Sequence, residues 1–420
     1  MRIFIPSGGS REGAFADKFR QQGNVVFTDE KANPGMRASA TVIPDINRDD
    51  PMSIAHAAEL HGFDFTLIGG ESLLGKRVVN IFNEFNERGL PIVGPTYEAA
   101  FKTELSKIEC VAMLQRAGVK VPFTRVFNDF KQLSGAMDVV EAPYVCKPEG
   151  ETLGKGVVMV RHGHEVEAAK QHLAKFPRRY QIQELIVGTE LSFFVATDGV
   201  GALFLGTAKD YKELVPGGPM TGGMGGYSPH HLMNDGLRKR IMNEVVSPTI
   251  KQLRDELTPY RGFLYFQVMI TDRGDIVVIE INARFGDPEA QLVLPRIQFD
   301  LAPVLLSTTK DGEIANTIVG IHPWHSVGVV LAAAGYPGDV RKGDVITGLD
   351  RMKSLNIHVF EGGTALNHEG KLVTAGGRVL TLVAMRRTLA EARRDVYEAE
   401  KYVNFDGKQV RDDIAAEVVA

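Results

Sequence analysis

Cysteine is nearly missing: the 420 residues carry two, Cys110 and Cys146. Two thiols supply neither a disulfide framework nor a zinc cluster. An excess of one charge is missing too, since 48 Lys and Arg stand against 52 Asp and Glu, a formal net charge of −4. Proteins that coat nucleic acid or an anionic membrane favour a clear basic excess, so neither partner is expected. No apolar run approaches the ~18 residues of a membrane span. The start, MRIFIP followed by a Gly/Ser turn, has no charged-then-apolar export pattern. Repeats and low-complexity tracts are also absent. These absences predict a soluble, cytoplasmic, multidomain protein; small-molecule substrates are the expected partners, and a monomer or dimer the expected state. What is present is ordinary for a folded chain, 44% hydrophobic and 24% charged residues. The length predicts two to four domains.

The first hundred residues alternate short apolar runs with helical patterns. Arg2–Ile5, Asn24–Phe27, Phe65–Ile68 and Pro91–Val93 are closed by Gly, Pro or Asp, while Arg11–Gln22 and Leu73–Arg88 have helical spacing. That alternation predicts a parallel, Rossmann-like sheet over residues 1–101. A second region, 102–325, reads as longer antiparallel strands, with Tyr144–Lys147 paired to Val157–Val160 and Gly262–Ile270 to Asp275–Ile281. A third region, 326–420, is mixed α/β. It holds Val327–Ala334, Val379–Met385 and an amphipathic helix with Leu389, Ala392, Val396 and Ala399 on one face.

Three segments look chemical. The run Lys147-Pro-Glu-Gly-Glu-Thr-Leu-Gly-Lys-Gly156 puts glycines at 150, 154 and 156 between two lysines. Glycine lets backbone N–H groups turn toward an anion, and lysine adds point charges against phosphate oxygens. Alone it could equally be a tight hairpin with solvated lysines. It is not a Walker A loop, because Gly156 stands where Ser or Thr would hold magnesium. In Glu280-Ile-Asn282-Ala-Arg284, alternation along a strand sets two oxygen donors on one face with a guanidinium beyond. Such donors suit a magnesium ion shared with phosphates, and Gln267 could supply a third oxygen. Taken singly, a polar strand edge explains the run as well. In Gln183-Glu-Leu-Ile-Val-Gly-Thr-Glu190, extended backbone could pair with a purine edge and Glu190 with ribose hydroxyls; a strand with an exposed turn is the plain alternative. The turn Ser7-Gly8-Gly9-Ser10 fails the dinucleotide fingerprint, which removes the main support for a dehydrogenase. The remaining histidine and cysteine patterns, His322-Pro-Trp-His325 included, read as linker, surface or core.

A phosphate loop, a nucleoside ledge and a metal strand occur in the order of an ATP-grasp site. The whole chain resembles the glycinamide ribonucleotide synthetase family of ATP-grasp ligases. The resemblance rests on Ile92-Val-Gly-Pro-Thr96, Leu105-Ser-Lys107, Leu153-Gly-Lys-Gly156, Thr221-Gly-Gly-Met-Gly225, Tyr227-Ser-Pro229, Gly262-Phe-Leu-Tyr265, Ile279–Glu289, Gly335-Tyr-Pro-Gly338 and Gly376-Gly-Arg-Val379. It implies a pre-ATP-grasp domain, a two-lobed ATP-grasp domain with a mobile lid over about 120–187, and a small carboxy-terminal domain. It implies ATP and Mg2+ or Mn2+ as cofactors, and glycine and phosphoribosylamine joined through an acyl phosphate in purine biosynthesis. By the same resemblance Lys107, Lys147, Gly154, Lys155 and Gly156 hold phosphates, and Gln183, Glu184, Ile186 and Glu190 hold the nucleoside. Glu280 and Asn282 bind metal, while Arg284 and Lys155 are catalytic. Gly8, Gly9, Arg11 and Glu71, with Thr221, Gly222, Gly223, Met224, Gly225, Arg284, Gly286 and Asp287, form the substrate side.

The departures from the family pattern cluster on that substrate side. Ser10 is inserted in the first turn, Gly13 stands for a histidine, Pro216-Gly-Gly-Pro-Met220 replaces an Asp-Thr-Gly-Pro-Asn run, and Glu361 stands where the family tends to place histidine. Loop divergence at constant activity is one explanation. A ligase for another amine or amino acid is the second, and a non-catalytic nucleotide-binding relative the third.

Overall fold

The computed structural model describes residues 1–150, 156–176, 178–314 and 320–419. Five short strands open the chain: β1 (Arg2–Phe4), β2 (Val25–Asp29), β3 (Thr41–Ile43), β4 (Phe65–Leu67) and β5 (Ile92–Val93). They form a parallel sheet in the order β3-β2-β1-β4-β5. The order reverses between β1 and β4, and in open parallel sheets ligands bind beyond the carboxyl ends of the strands at such a reversal. The turn after β1 carries Gly8–Arg11 and the turn after β4 carries Glu71, so both predicted substrate segments lie at the reversal.

Helix Ser10–Gln21 buries Ala14, Phe15 and Phe19 against the sheet. The predicted helix over Leu73–Arg88 is instead two, Glu71–Gly75 and Val78–Phe85, because Arg77 between them has φ 61°. Apolar spacing cannot register a one-residue left-handed break, and Gly75 beside it weakens the helix locally. Strand β3 and helix Pro51–His61 have no counterpart in the sequence reading.

The middle of the chain holds two antiparallel sheets. The smaller, ordered β6-β9-β7-β8, uses β6 (Thr124–Phe127), β7 (Tyr144–Pro148), β8 (Val158–Val160) and β9 (Tyr180–Glu184). Leu133, Cys146, Val160, Leu173 and Tyr180 give it a core of its own. The larger contains β10 (Thr189–Thr197), β11 (Ala202–Asp210), β12 (Gly225–Ser228), β13 (Gly262–Ile270) and β14 (Ile276–Asn282). It continues through β15 (His325–Ala332), β16 (Ile357–Glu361) and β19 (Arg378–Arg386), while β17 (Thr364–Leu366) and β18 (Leu372–Thr374) pair separately. Its order is β14-β13-β10-β11-β12-β15-β19-β16, so the sheet runs unbroken across residue 325. Helix Leu389–Glu400 packs Leu389, Ala392, Val396 and Ala399 into the core, as its spacing predicts. Among the described residues no helix is long and apolar enough to cross a membrane.

Candidate active site

Strand β14 places the two predicted oxygen donors. Its antiparallel register with β13 sets Glu280 opposite Gln267 and Asn282 opposite Tyr265, so both donors leave one face. Glu280 accepts no hydrogen bond among the described residues, and the buried Nδ2 of Asn282 has no partner either. Burial opposes ionisation of Glu280, but Lys212, Lys147, Lys107 and Arg284 outweigh it and hold the carboxyl below its ordinary value. A carboxylate kept charged and without a protein donor is a hard ligand in waiting. Among the described residues no three His, Cys, Asp or Glu side chains converge as a ready-made cage. A divalent ion held here would therefore complete its shell with ligand oxygens and water, as magnesium commonly does.

The two lysines come from different elements. Lys147 on β7 is buried, and its Nζ donates to the Ile279 carbonyl at 3.4 Å. Burial pulls its pKa down and Glu280 pushes it back up. Lys107 opens helix Lys107–Arg116, whose first turn is capped by Ser106 Oγ accepting from Glu109 N at 3.1 Å, and donates to the Gly150 carbonyl. Gly154 and Lys155 lie outside the described residues, whereas Gly156 is buried at the edge of β8.

Arg284 sits between two acids. Its Nε donates to Glu71 at 3.1 Å and its Nη2 reaches Glu104 at 3.1 Å. Glu104 also accepts from the Ala283 amide at 2.7 Å, and Arg11 stands 3.9 Å from Glu71. Burial works against ionisation of Glu71, but the Arg284 and Arg11 guanidiniums draw its carboxyl down to about 2. Glu104 comes from the π-helical turn Phe101–Leu105, a type of turn frequent at functional sites. The Arg11–Glu71–Arg284–Glu104 row thus joins the predicted substrate segments of the first sheet to the end of β14.

On the nucleoside ledge, Gln183 donates to Thr124 Oγ1 at 3.1 Å and Glu184 accepts from the Phe123 amide at 2.8 Å. Both side chains are committed to the protein, and the half-buried Ile186 lies in the irregular link between β9 and β10. Glu190 is held by Gln267 Nε2 and by Lys212 at 3.2 Å, and the buried His230 fixes its backbone through Nε2 to the Glu190 carbonyl at 3.0 Å. Gln267 therefore turns its amide nitrogen to Glu190.

The Thr221–Gly225 loop is pinned from three sides. Thr221 Oγ1 donates to the Lys212 carbonyl at 2.7 Å, Gly222 N to Tyr336 OH at 2.9 Å, and Met224 N to the Tyr211 carbonyl at 2.8 Å. Arg378 ties this loop to the next by donating to the Gly222 carbonyl at 2.7 Å and pairing with Asp287 at 3.2 Å. Beside it a cleft of about 250 Å³ is lined by Gly9, Ser10, Asp287 and Arg378, and one of about 390 Å³ by Gly8, Lys31, Asn33 and Arg37; Gly362 and Gly363 border both. Gly8 is required by close approach, since a Cβ there would lie 2.4 Å from Ala32 Cα. Two of the departing residues are absorbed by packing. Ser10 Oγ accepts from Gln291 at 2.8 Å, and Glu361 accepts from Thr364 Oγ1 at 2.7 Å. Pro216 lies in an exposed turn.

Three successive matches accompany this geometry. Models described as the phosphoribosylglycinamide synthetase N domain, ATP-grasp (A) domain and C domain match residues 1–101, 106–290 and 326–417. The chain belongs to the phosphoribosylglycinamide synthetase family. A phosphoribosylamine–glycine ligase of Ralstonia nicotianae is 35% identical over 99% of this chain and 98% of that protein. One of Vibrio parahaemolyticus is 36% identical over 100% and 99%. The crystal structure of phosphoribosylamine–glycine ligase from Thermotoga maritima superposes with a TM-score of 0.83, at 30% identity, covering 99% of this chain and 100% of that one. A biotin carboxylase from Campylobacter jejuni, at 16% identity and TM-score 0.73, shares the fold.

Within this chain, Glu104, Lys212, Asp210, Arg378 and His230 were missed by sequence reasoning. Glu104 meets Ala283 across 179 positions and Arg378 meets Gly222 across 156. No local spacing signals such pairs.

Proposed function

We propose that the chain is an ATP-dependent carboxylate–amine ligase that joins glycine to 5-phosphoribosylamine in purine biosynthesis. ATP phosphorylates the glycine carboxylate, the amine of phosphoribosylamine attacks the acyl phosphate, and the amide, ADP and phosphate leave. Full-length similarity to ligases of that name carries the reading. The electrostatic grouping of Lys107, Lys147 and Arg284 about Glu280 supports it. A carboxylate is a poor acyl donor, and phosphorylation gives it a leaving group; positioning and charge neutralisation supply most of the remaining acceleration.

In this reading Lys107, Lys147 and the loop from Gly154 through Lys155 to Gly156 hold phosphates. Glu280 and Asn282 would hold the ion, Mg2+ or Mn2+, which would supply charge neutralisation toward the phosphates. Arg284 stabilises the transferring phosphoryl group. The backbone at Glu184–Ile186 takes the purine edge, and Gln183 and Glu190 border the nucleoside. Phosphoribosylamine enters the clefts beside Gly8, Gly9 and Ser10, with Arg11 and Glu71 behind them and Gly286 and Asp287 along the wall. Residues 1–101, 102–325 and 326–420 act as three domains, with the sheet over about 120–187 as the lid.

The purified protein, given ATP, magnesium and single amino acids with and without phosphoribosylamine, is expected to release ADP with glycine plus phosphoribosylamine. Background release with that pair, together with turnover of another pair, would replace the substrate assignment. Lys155→Ala is expected to raise the Michaelis constant for ATP or lower turnover by roughly 10- to 100-fold, the loss of one charged contact to phosphate. Unchanged kinetics would take Lys155 out of the site.

A further inference from the structure

We propose that Asp210 receives the ammonium group of the amino-acid substrate, a role that rests on the ligase reading above. An amino acid offers two charged ends. Its carboxylate must meet the transferring phosphoryl group beside Glu280, Asn282 and Arg284, so an acid has to stand within one small molecule's reach for the other end. The segment before the Thr221 loop offers no acid between Pro216 and Met220, in a turn closed by Leu214 N to the Pro219 carbonyl at 2.9 Å. Asp210 ends β11 on the sheet itself, opposite Gly226.

Its surroundings single it out. Oδ1 of Asp210 is buried and has no hydrogen-bond partner. The cations around it are engaged elsewhere, Lys212 with Glu190 at 3.2 Å and Arg378 with Asp287 at 3.2 Å. Gly223 faces the carboxylate with φ +116°, and a Cβ there would lie 2.8 Å from Oδ1 and 2.6 Å from Pro288 Cδ. Only glycine lets the loop approach Asp210 this closely. Lys212 feels Glu190, Glu280, Asp210 and Glu289 together, so Asp210 and the metal strand share one electrostatic neighbourhood. Glu289, buried with Ser192 Oγ at 3.5 Å, gives the same pocket a second acid. Burial first, then Glu289, pushes the Asp210 carboxyl well above its ordinary range. A buried acid of this kind lacks a counter-cation, and an incoming ammonium group would supply it.

The test compares Asp210→Asn with wild type in ADP release at fixed ATP and phosphoribosylamine. The Michaelis constant for glycine should rise about 10- to 100-fold, as for the loss of one charged hydrogen bond, with that for ATP within about twofold. A glycine constant within twofold of wild type would overturn the assignment. Should the variant fail to fold, wild type decides alone through competition against glycine. Aminomethylphosphonate, which keeps the ammonium group, should inhibit at least tenfold more tightly than methylphosphonate, which lacks it, and equal inhibition would overturn the proposal. Wild type that releases no ADP with glycine at all would instead sink the ligase reading, which separates the two failures.

Discussion

Glu280→Gln is expected to lower turnover more than about 100-fold while the fold survives. The change keeps volume and one oxygen but removes the charge that an ion between phosphates needs. Loss of a hydrogen-bonded partner behind a metal ligand already costs about 10- to 100-fold, and a ligand stands closer. The fold should tolerate the change because Glu280 accepts no hydrogen bond from the protein among the described residues. Its contribution is to a field, not to packing. That field is mutual: Glu280 is what raises Lys147 against its burial. Without it Lys147 is held lower still, so residual activity should fall further as pH rises through the shifted lysine titration. Turnover titrated with magnesium and manganese at several pH values, beside circular dichroism, checks both parts. Wild-type turnover at ordinary metal concentration would remove the proposed metal site.

The parts legible in the sequence are those whose chemistry is local. Alternation along Ile276–Asn282 puts Glu280 and Asn282 on one face whatever the rest of the chain does, and the register with β13 shows them there. Helix Leu389–Glu400 has its buried face written at every third or fourth position. Where a single backbone angle decides, periodicity fails, as at Arg77, and the split of the predicted Leu73–Arg88 helix follows from it. Where tertiary placement decides, residue type alone is silent. Residue type gives no sign that the Glu71 carboxylate is bound to Arg284, a contact across 213 positions. Asp210, Arg378 and Glu104 carry no local signal of a site, because a lone charged residue is, by type alone, most often a solvated surface group. The clefts at Gly8, Gly9 and Ser10 depend on Gly362 and Gly363 arriving from more than 350 positions away.

Glu104 supports the other large effect. Arg284 has five donors in a rigid fork and is useful to a transferring phosphoryl group only if that fork is aimed. Glu71 fixes Nε and Glu104 fixes Nη2, while Glu104 also grips the Ala283 amide, so guanidinium and backbone are oriented by one carboxylate. Glu104 is a positioning residue in this arrangement. Glu104→Gln keeps an acceptor for Ala283 N but loses the charge, and Glu104→Ala loses both. Glu104→Ala should destabilise by about 2–4 kcal/mol, toward the low side of breaking a buried ion pair because Glu71 still partners the arginine. A purely structural role would stop there. If Glu104 aims Arg284, Glu104→Gln, which leaves the backbone anchor in place, should still lower kcat about 10- to 100-fold with the Michaelis constant for ATP nearly unchanged, the pattern of an interaction felt in the transition state alone. Urea unfolding and steady-state kinetics on the two variants separate these cases. A Glu104→Gln enzyme with wild-type kcat would show that Glu71 alone holds the arginine. Arg11, 3.9 Å from the same Glu71 carboxylate, extends the row toward the first turn, so a change at Arg11 is expected to disturb Arg284 more in Glu104→Gln than in wild type.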